Sequence, residues 1–306
     1  MKYSHILRLV PKRRWFFVTV AMGVAGCVHF ASQPEARQAT AAPTAQPLAA
    51  EDSSSRAKAD TAAAGGCCAL GAIDFGDHDG YIQIFDGKSL RNWDGDPAIW
   101  HVEDGAIVGE SNNERPVVNS YISFHGFEAK DFDLKLEIKV ENNGGSGIQY
   151  RSRTGQPWTP RYGQVNPNLN WMMTGPQADF WFPVDPDVAE WTGQFYSENT
   201  PMGAIARRGQ VVESGPGDQR ELVGIIDDRT ALGGFVRVND WNQYLIIARG
   251  GTFIHVLNGR LMTVVIDDDP NSSNNRTGLI GIEIEGYRLE RPTKVSVRNI
   301  WIRKLR

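Results

Sequence analysis

Phe132-Asp133-Leu134-Lys135-Leu136-Glu137-Ile138-Lys139-Val140 alternates apolar and polar side chains from end to end. A period of two puts successive side chains on opposite faces, so this is a half-buried strand. Asn142-Asn143-Gly144-Gly145 follows, a run of residues that tolerate positive φ and so turn the chain. Gly147-Ile148-Gln149-Tyr150-Arg151-Ser152 then resumes the alternation in a second strand.

The same grammar extends outward. Tyr244 to Arg249, Gly250-Gly251, and Thr252 to Leu257 form a hairpin, and Asn258-Gly259 makes the next tight turn. Leu261 to Ile266, Leu279 to Ile284 and Val295 to Ile302 are further strands, and no run of a dozen residues carries a helical period. Many short strands with glycine turns and no alternating helices predict an all-β, antiparallel β-sandwich over residues 75–306. Pro157 to Trp191 is the exception, rich in Pro, Asn and Trp, and is expected to form long loops around one strand. Of the nine tryptophans, Trp171, Trp181 and Trp191 fall there, where an indole face could stack on a sugar ring.

The N-terminal part has a different composition. Lys12, Arg13 and Arg14 precede a short apolar run, Trp15 to Gly26, of the length of a signal segment and too short to span a bilayer. It ends in Val24-Ala25-Gly26-Cys27, which resembles a lipobox; residues 1–26 are then a signal peptide and Cys27 the lipidated residue. Arg13-Arg14-Trp15-Phe16-Phe17 also resembles a twin-arginine signal. With Val28, not Asp, after the cysteine, the expected place is the outer membrane or periplasm, the lipid acting as anchor. Residues 27–74 contain an Ala/Pro/Ser-rich stretch that cannot bury enough apolar surface to fold and reads as a flexible tether. Cys67 and Cys68 close it; the folded segment holds no cysteine, which excludes thiolate catalysis and a cysteine zinc site. A net charge of −4 without a basic stripe argues against nucleic acid as a partner.

Several motifs carry a resemblance. Phe85-Asp86-Gly87-Lys88-Ser89-Leu90 with Asn92-Trp93 resembles the opening of the 3-keto-disaccharide hydrolase domain family. Trp100 to Gly109, Asp131 to Leu134 with Gly145 to Ser152, and Gly175-Pro176-Gln177-Ala178-Asp179 resemble its later strands in order. So do Asp240-Trp241-Asn242-Gln243-Tyr244 and His255-Val256-Leu257-Asn258-Gly259. The chain departs from the family at Ile280-Gly281-Ile282-Glu283-Ile284-Glu285, where Gln and His are common in place of the two acids. The resemblance implies a concanavalin A-like jelly roll and cleavage of glycosides oxidised at C3. It also implies an upstream sugar C3-oxidoreductase to supply them.

Strand alternation indicates which polar side chains share a face. With the aliphatic residues turned inward, Gln149 and Arg151, then Gln177, Asp179 and Trp181, then His255, then Glu283 and Glu285 all turn outward. Removing a C2 proton beside a C3 carbonyl needs a base, a donor over the enolate oxygen and an acid for the leaving group. Asp179 or Glu283 is the expected base, Arg151 the enolate stabiliser and His255 the acid. Gln149, Gln177, Trp181 and Glu285 are expected to bind substrate; Glu285 could also tune His255 or hold a metal. Asp267-Asp268-Asp269 is either a Ca²⁺-binding turn or a solvated one. The E-x-D-x-x-E string of retaining glucanases is absent. The alternative reading is a non-catalytic carbohydrate-binding module; a structural envelope protein would lack a convergent polar face.

Overall fold

The computed structural model describes residues 74–157, 169–183, 189–286 and 292–305, all within one compact unit. The expected signal peptide, Cys27, the tether and Cys67-Cys68 lie outside the described residues.

Seventeen strands are described. The first seven are β1 (Ile82–Gln83), β2 (Trp93–Gly95), β3 (Trp100–Glu103), β4 (Ala106–Ser111), β5 (Asn119–Ala129), β6 (Phe132–Glu141) and β7 (Gly145–Thr154). The next five are β8 (Met173–Trp181), β9 (Phe195–Glu198), β10 (Gly203–Ala206), β11 (Gln210–Gly215) and β12 (Gln219–Ile225). The last five are β13 (Asn242–Arg249), β14 (Thr252–Leu257), β15 (Arg260–Asp267), β16 (Gly278–Glu285) and β17 (Thr293–Lys304). Among the described residues one short α-helix occurs, α1 (Arg229–Gly233), capped by Asp228, whose side chain accepts from the Thr230 and Ala231 amides.

The strands form two sheets. The ten-stranded major sheet runs β12-β11-β15-β14-β13-β6-β17-β4-β3, with β1 beside β17; the seven-stranded minor sheet runs β10-β9-β8-β7-β16-β5-β2. The chain crosses between sheets at β1–β2, β2–β3, β4–β5, β5–β6, β6–β7, β10–β11, β15–β16 and β16–β17, which makes a jelly-roll sandwich. Pairing is antiparallel except for β11 against β15, which run parallel.

The core is what the alternation predicts. Phe132, Leu134, Leu136, Ile138 and Val140 of β6 face Ile148 and Tyr150 of β7, Phe180 of β8 and Ile280, Ile282 and Ile284 of β16. The polar residues of β6 are not simply solvated. Asp133 is buried and accepts from Arg249 and Arg303, and Lys135 donates to the backbone carbonyls of Asp74 and Asp77. These bonds tie the chain entry to the outside of the major sheet. Asn258 and Gly259 both take positive φ, 48° and 74°, the geometry a two-residue hairpin turn requires.

Candidate active site on the outer face of the minor sheet

The register of the minor sheet builds the site row by row. Tyr121 of β5 lies opposite Glu283 of β16. On the other side of β16, Ile282 faces Ile148 and Glu285 faces Gly145, which sets Glu283 beside Gly147. Gly147 in turn faces Asp179 of β8, and Gln149 faces Gln177. Because Ile122, Ile148, Ala178 and Ile282 point into the core, these polar neighbours share the opposite face.

Hydrogen bonds knit this row into one directional network. The Ser152 hydroxyl donates to Gln149 Oε1 at 2.5 Å, and Gln149 Nε2 donates to Gln177 Oε1. Gln177 Nε2 then donates to both Asp179 Oδ1 at 2.8 Å and Glu283 Oε2 at 2.7 Å. The amide can lie between the two carboxyls because residue 147 is glycine: a Cβ there would overlap the Gln177 side chain. Tyr121 OH donates to Glu283 Oε1 at 2.5 Å. Gln194 Nε2 donates to Asp179 Oδ2, and Arg207 Nη1 donates to Gln194 Oε1 at 2.6 Å. The loop before β9 holds Gln194 in place: the Asp179 amide donates to its carbonyl, and the Gly193 amide donates back to the Asp179 carbonyl.

Burial sets the electrostatics. Gln149, Gln177, Asp179 and Glu283 are at most 3% exposed. Loss of water pushes the Asp179 carboxyl up to about 7, against the pull of its Gln194 and Gln177 hydrogen bonds; Glu198 adds to the rise and Arg207 opposes it. Desolvation holds Glu283 well above the usual carboxylate range, and Glu285 and Glu198 add repulsion. Glu285 is half-buried, and desolvation with Glu198 and Asp179 nearby raises it too. Burial therefore raises both carboxyls above their ordinary range, Asp179 to about 7, and such shifted pairs are what acid–base chemistry uses.

Two expected groove residues are elsewhere. His255 does not face outward: Phe253, His255 and Leu257 turn into the core while Ile254 and Val256 turn out. The Gly250-Gly251 hairpin decides this by pairing His255 with Ile246 and Leu257 with Tyr244, whose side chains point inward. The ring stacks on Phe195 at 5.7 Å, and Nε2 lies 2.9 Å from Tyr150 OH. Burial lowers the ring to about 4, against the opposing pull of the Gly193 and Gln194 backbone, and Nδ1 makes no hydrogen bond among the described residues. Arg151 also leaves the groove. It adopts a positive φ of 49° at an irregularity in the β7–β8 pairing, which breaks the alternation. Its guanidinium donates to Asp131 at 3.0 Å, to the Gly250 carbonyl at 2.9 Å and to Asn275 at 3.2 Å, and lies over Phe253. Those bonds close one end of the sandwich.

Trp181 lies on the expected face but is buried, edge-to-face with half-buried Trp191 at 4.9 Å and covering Gly145. Trp171 and Trp191 are both half-buried. Asp267 spends its carboxylate on its own turn, accepting from the Asp269 amide, Ser272 and Asn274. No cluster of three metal-ligating side chains occurs among the described residues. The sequence reading omits Tyr121, Gln194 and Arg207. Tyr121 was accessible to it, since Ile122 and Phe124 alternate inward as cleanly as the other strands; Gln194 and Arg207 lie in loops, where no period assigns a face.

The family model described as the 3-keto-alpha-glucoside-1,2-lyase-like domain matches residues 80–303. The chain belongs to this family. A 3-keto-disaccharide hydrolase of Bacteroides thetaiotaomicron is 38% identical over 81 residues, covering 24% of this chain and 28% of that protein's length. Among solved structures, a candidate glycosyl hydrolase of Parabacteroides distasonis is 19% identical with a TM-score of 0.45, over 74% of this chain and 95% of that one. A Bacillus subtilis protein with a galectin-like fold is 12% identical with a TM-score of 0.43, over 70% and 90% respectively.

Proposed function

We propose that this member of the 3-keto-alpha-glucoside-1,2-lyase-like family cleaves glycosides oxidised at C3, with Asp179 as base and Glu283 as acid. The observation that carries the reading is the carboxyl pair bridged by Gln177, with Asp179 raised to about 7 and Glu283 raised well above the usual carboxylate range. The C3 carbonyl acidifies the C2 proton, which the Asp179 carboxylate removes to leave an enolate. The enolate collapses with breakage of the C1–O bond, and Glu283 gives its proton to the departing oxygen. Water adds at C1 of the resulting enone, returning a proton to Glu283, and Asp179, its proton exchanged with solvent, protonates C2. With Arg151 and His255 elsewhere, and with both Gln177 N–H groups and the Tyr121 hydroxyl committed to the carboxyls, the C3 oxygen is met by the remaining N–H of the Gln149 amide. Family membership and the name of the Bacteroides relative support this substrate class. The carbonyl must come from an oxidoreductase acting on the C3 hydroxyl.

The test is turnover of a 3-keto-disaccharide beside its unoxidised parent, in D₂O. Release of sugar from the keto form alone, with deuterium at C2 of the product, is the expected result. It should fall by at least about 100-fold in Asp179→Asn and Glu283→Gln, the usual size of a lost general acid or base. Binding without turnover of either sugar would leave the tethered carbohydrate-binding module. We also propose export with a lipid on Cys27, on the strength of Val24-Ala25-Gly26-Cys27. Palmitate labelling and membrane fractionation should both be lost in Cys27→Ala, and labelling that persists would rule this out.

A further inference from the structure

We propose that Arg207, acting through Gln194, makes Asp179 rather than Glu283 the base of the carboxyl pair. The inference rests on the proposed function, and it concerns a residue that does not touch the substrate. Arg207 sits in the turn between β10 and β11, and its neighbour Arg208 points the other way. Arg208 donates to the carbonyls of Ala189, Thr192 and Arg229 and so anchors the loop that carries Gln194. Arg207 completes the arrangement by donating to Gln194 Oε1 at 2.6 Å. An amide whose oxygen is held by a guanidinium must present its nitrogen on the other side, and that nitrogen donates to Asp179 Oδ2. Charge and orientation thus reach Asp179 together.

The environment of the pair is otherwise lopsided against ionisation. Asp179 is faced by Glu198 from β9 and by Glu283 and Glu285 from β16; Tyr244 of β13 donates to its backbone carbonyl at 3.1 Å. Glu283 is faced by Glu285, Glu198 and Asp179, and its other partner, Tyr121, is a neutral donor. Arg207 is the positive charge among the leading influences on Asp179, and no cation stands among those on Glu283. Both carboxyls share Gln177 as donor, so that amide cannot tell them apart. What separates them is the Gln194–Arg207 arm. Arg207 is therefore a positioning residue whose removal leaves both carboxyls in place while taking away the preference between them.

The experiment uses the full-length chain labelled with ¹³C at aspartate carboxyls. It reads two quantities: the Asp179 titration midpoint by NMR, assigned with Asp179→Asn, and the pH profile of kcat/KM on the 3-keto-disaccharide. Arg207→Gln should move the midpoint and the acid limb upward together by about one pH unit, the scale of a lost neighbouring opposite charge. Gln194→Leu should move both in the same direction, and Arg207→Lys should recover part of the shift because it keeps the charge. Arg220→Gln, a surface arginine paired with Asp218, is the control and should move neither. Folded variants with unmoved midpoints, or a uniform fall in kcat/KM at every pH, would overturn the proposal. If Arg207→Gln does not fold, Gln194→Leu and Arg207→Lys decide by the same midpoints. A wild type without turnover would remove the proposed function, while the NMR midpoints would still show whether the arm governs Asp179.

Discussion

Two buried residues bias stability in opposite directions with pH. Asp179 titrates near 7 in the fold against an ordinary 3.8, so the folded state holds its proton where the unfolded state has lost it. Its contribution falls as pH rises from about 4 to 7, by roughly 4 kcal/mol at most. His255 titrates near 4 against an ordinary 6.5, so the unfolded state binds the proton first and stability falls on acidification through that window. That loss is on the order of 3 kcal/mol. Between pH 4 and 6.5 these two slopes oppose each other, and the raised Glu283 and Glu285 carboxyls add to the Asp179 side. Thermal melts should separate them: relative to wild type, Asp179→Asn should shift toward losing stability on acidification, and His255→Gln toward gaining it. Parallel curves for the three proteins would disprove both assignments. At the same scale, Gly147→Ala would push the Gln177 amide from between Asp179 and Glu283. Activity should then fall by at least about 100-fold from misplaced groups. The Tm should fall as well, because the displaced Gln177 is buried and gives up its bonds to both carboxyls.

At the scale of elements, β7 and β14 show how far alternation can be trusted. Regular β7 places Ile148 inward and Gln149 outward as expected, and one residue at positive φ then sends Arg151 to the end of the sandwich. Arg151→Met should therefore lower stability by about 3–5 kcal/mol, through Asp131 and the backbone acceptors left unpaired. Measured well below its Tm, kcat/KM should be unchanged; a specific loss of kcat would return Arg151 to the active site. In β14 both alternating sets contain apolar residues, Ile254 and Val256 on one side and Phe253 and Leu257 on the other. Composition alone cannot choose between them. The two-residue turn at Gly250-Gly251 does choose, by matching β14 to β13 and through it to the unambiguous β6. The orientation of His255 was thus legible in the hairpin register, though not in β14 read by itself.

For the molecule as a whole, the major sheet ends in β12, an edge strand that leaves Leu222, Val223 and Ile225 from 46% to 64% exposed. An apolar edge is a template for pairing with another chain. Val223→Lys should lower concentration-dependent light scattering without changing Tm, and no change in scattering would show the edge to be inert. The sequence by itself determined the sandwich, the strands β6, β7, β8 and β16 and the grouping of Gln149, Gln177, Asp179 and Glu283. That much follows because a strand's side chains alternate faces whatever it packs against, and the core face of each of these strands is unmistakably apolar. Only the tertiary structure decided that Arg151 and His255 leave this face and that Arg207 reaches it through Gln194. Those outcomes depend on a local break in β7, on the register of one hairpin and on two loops packing beside β8. Each is a relation between distant segments, and no periodicity within one segment records it.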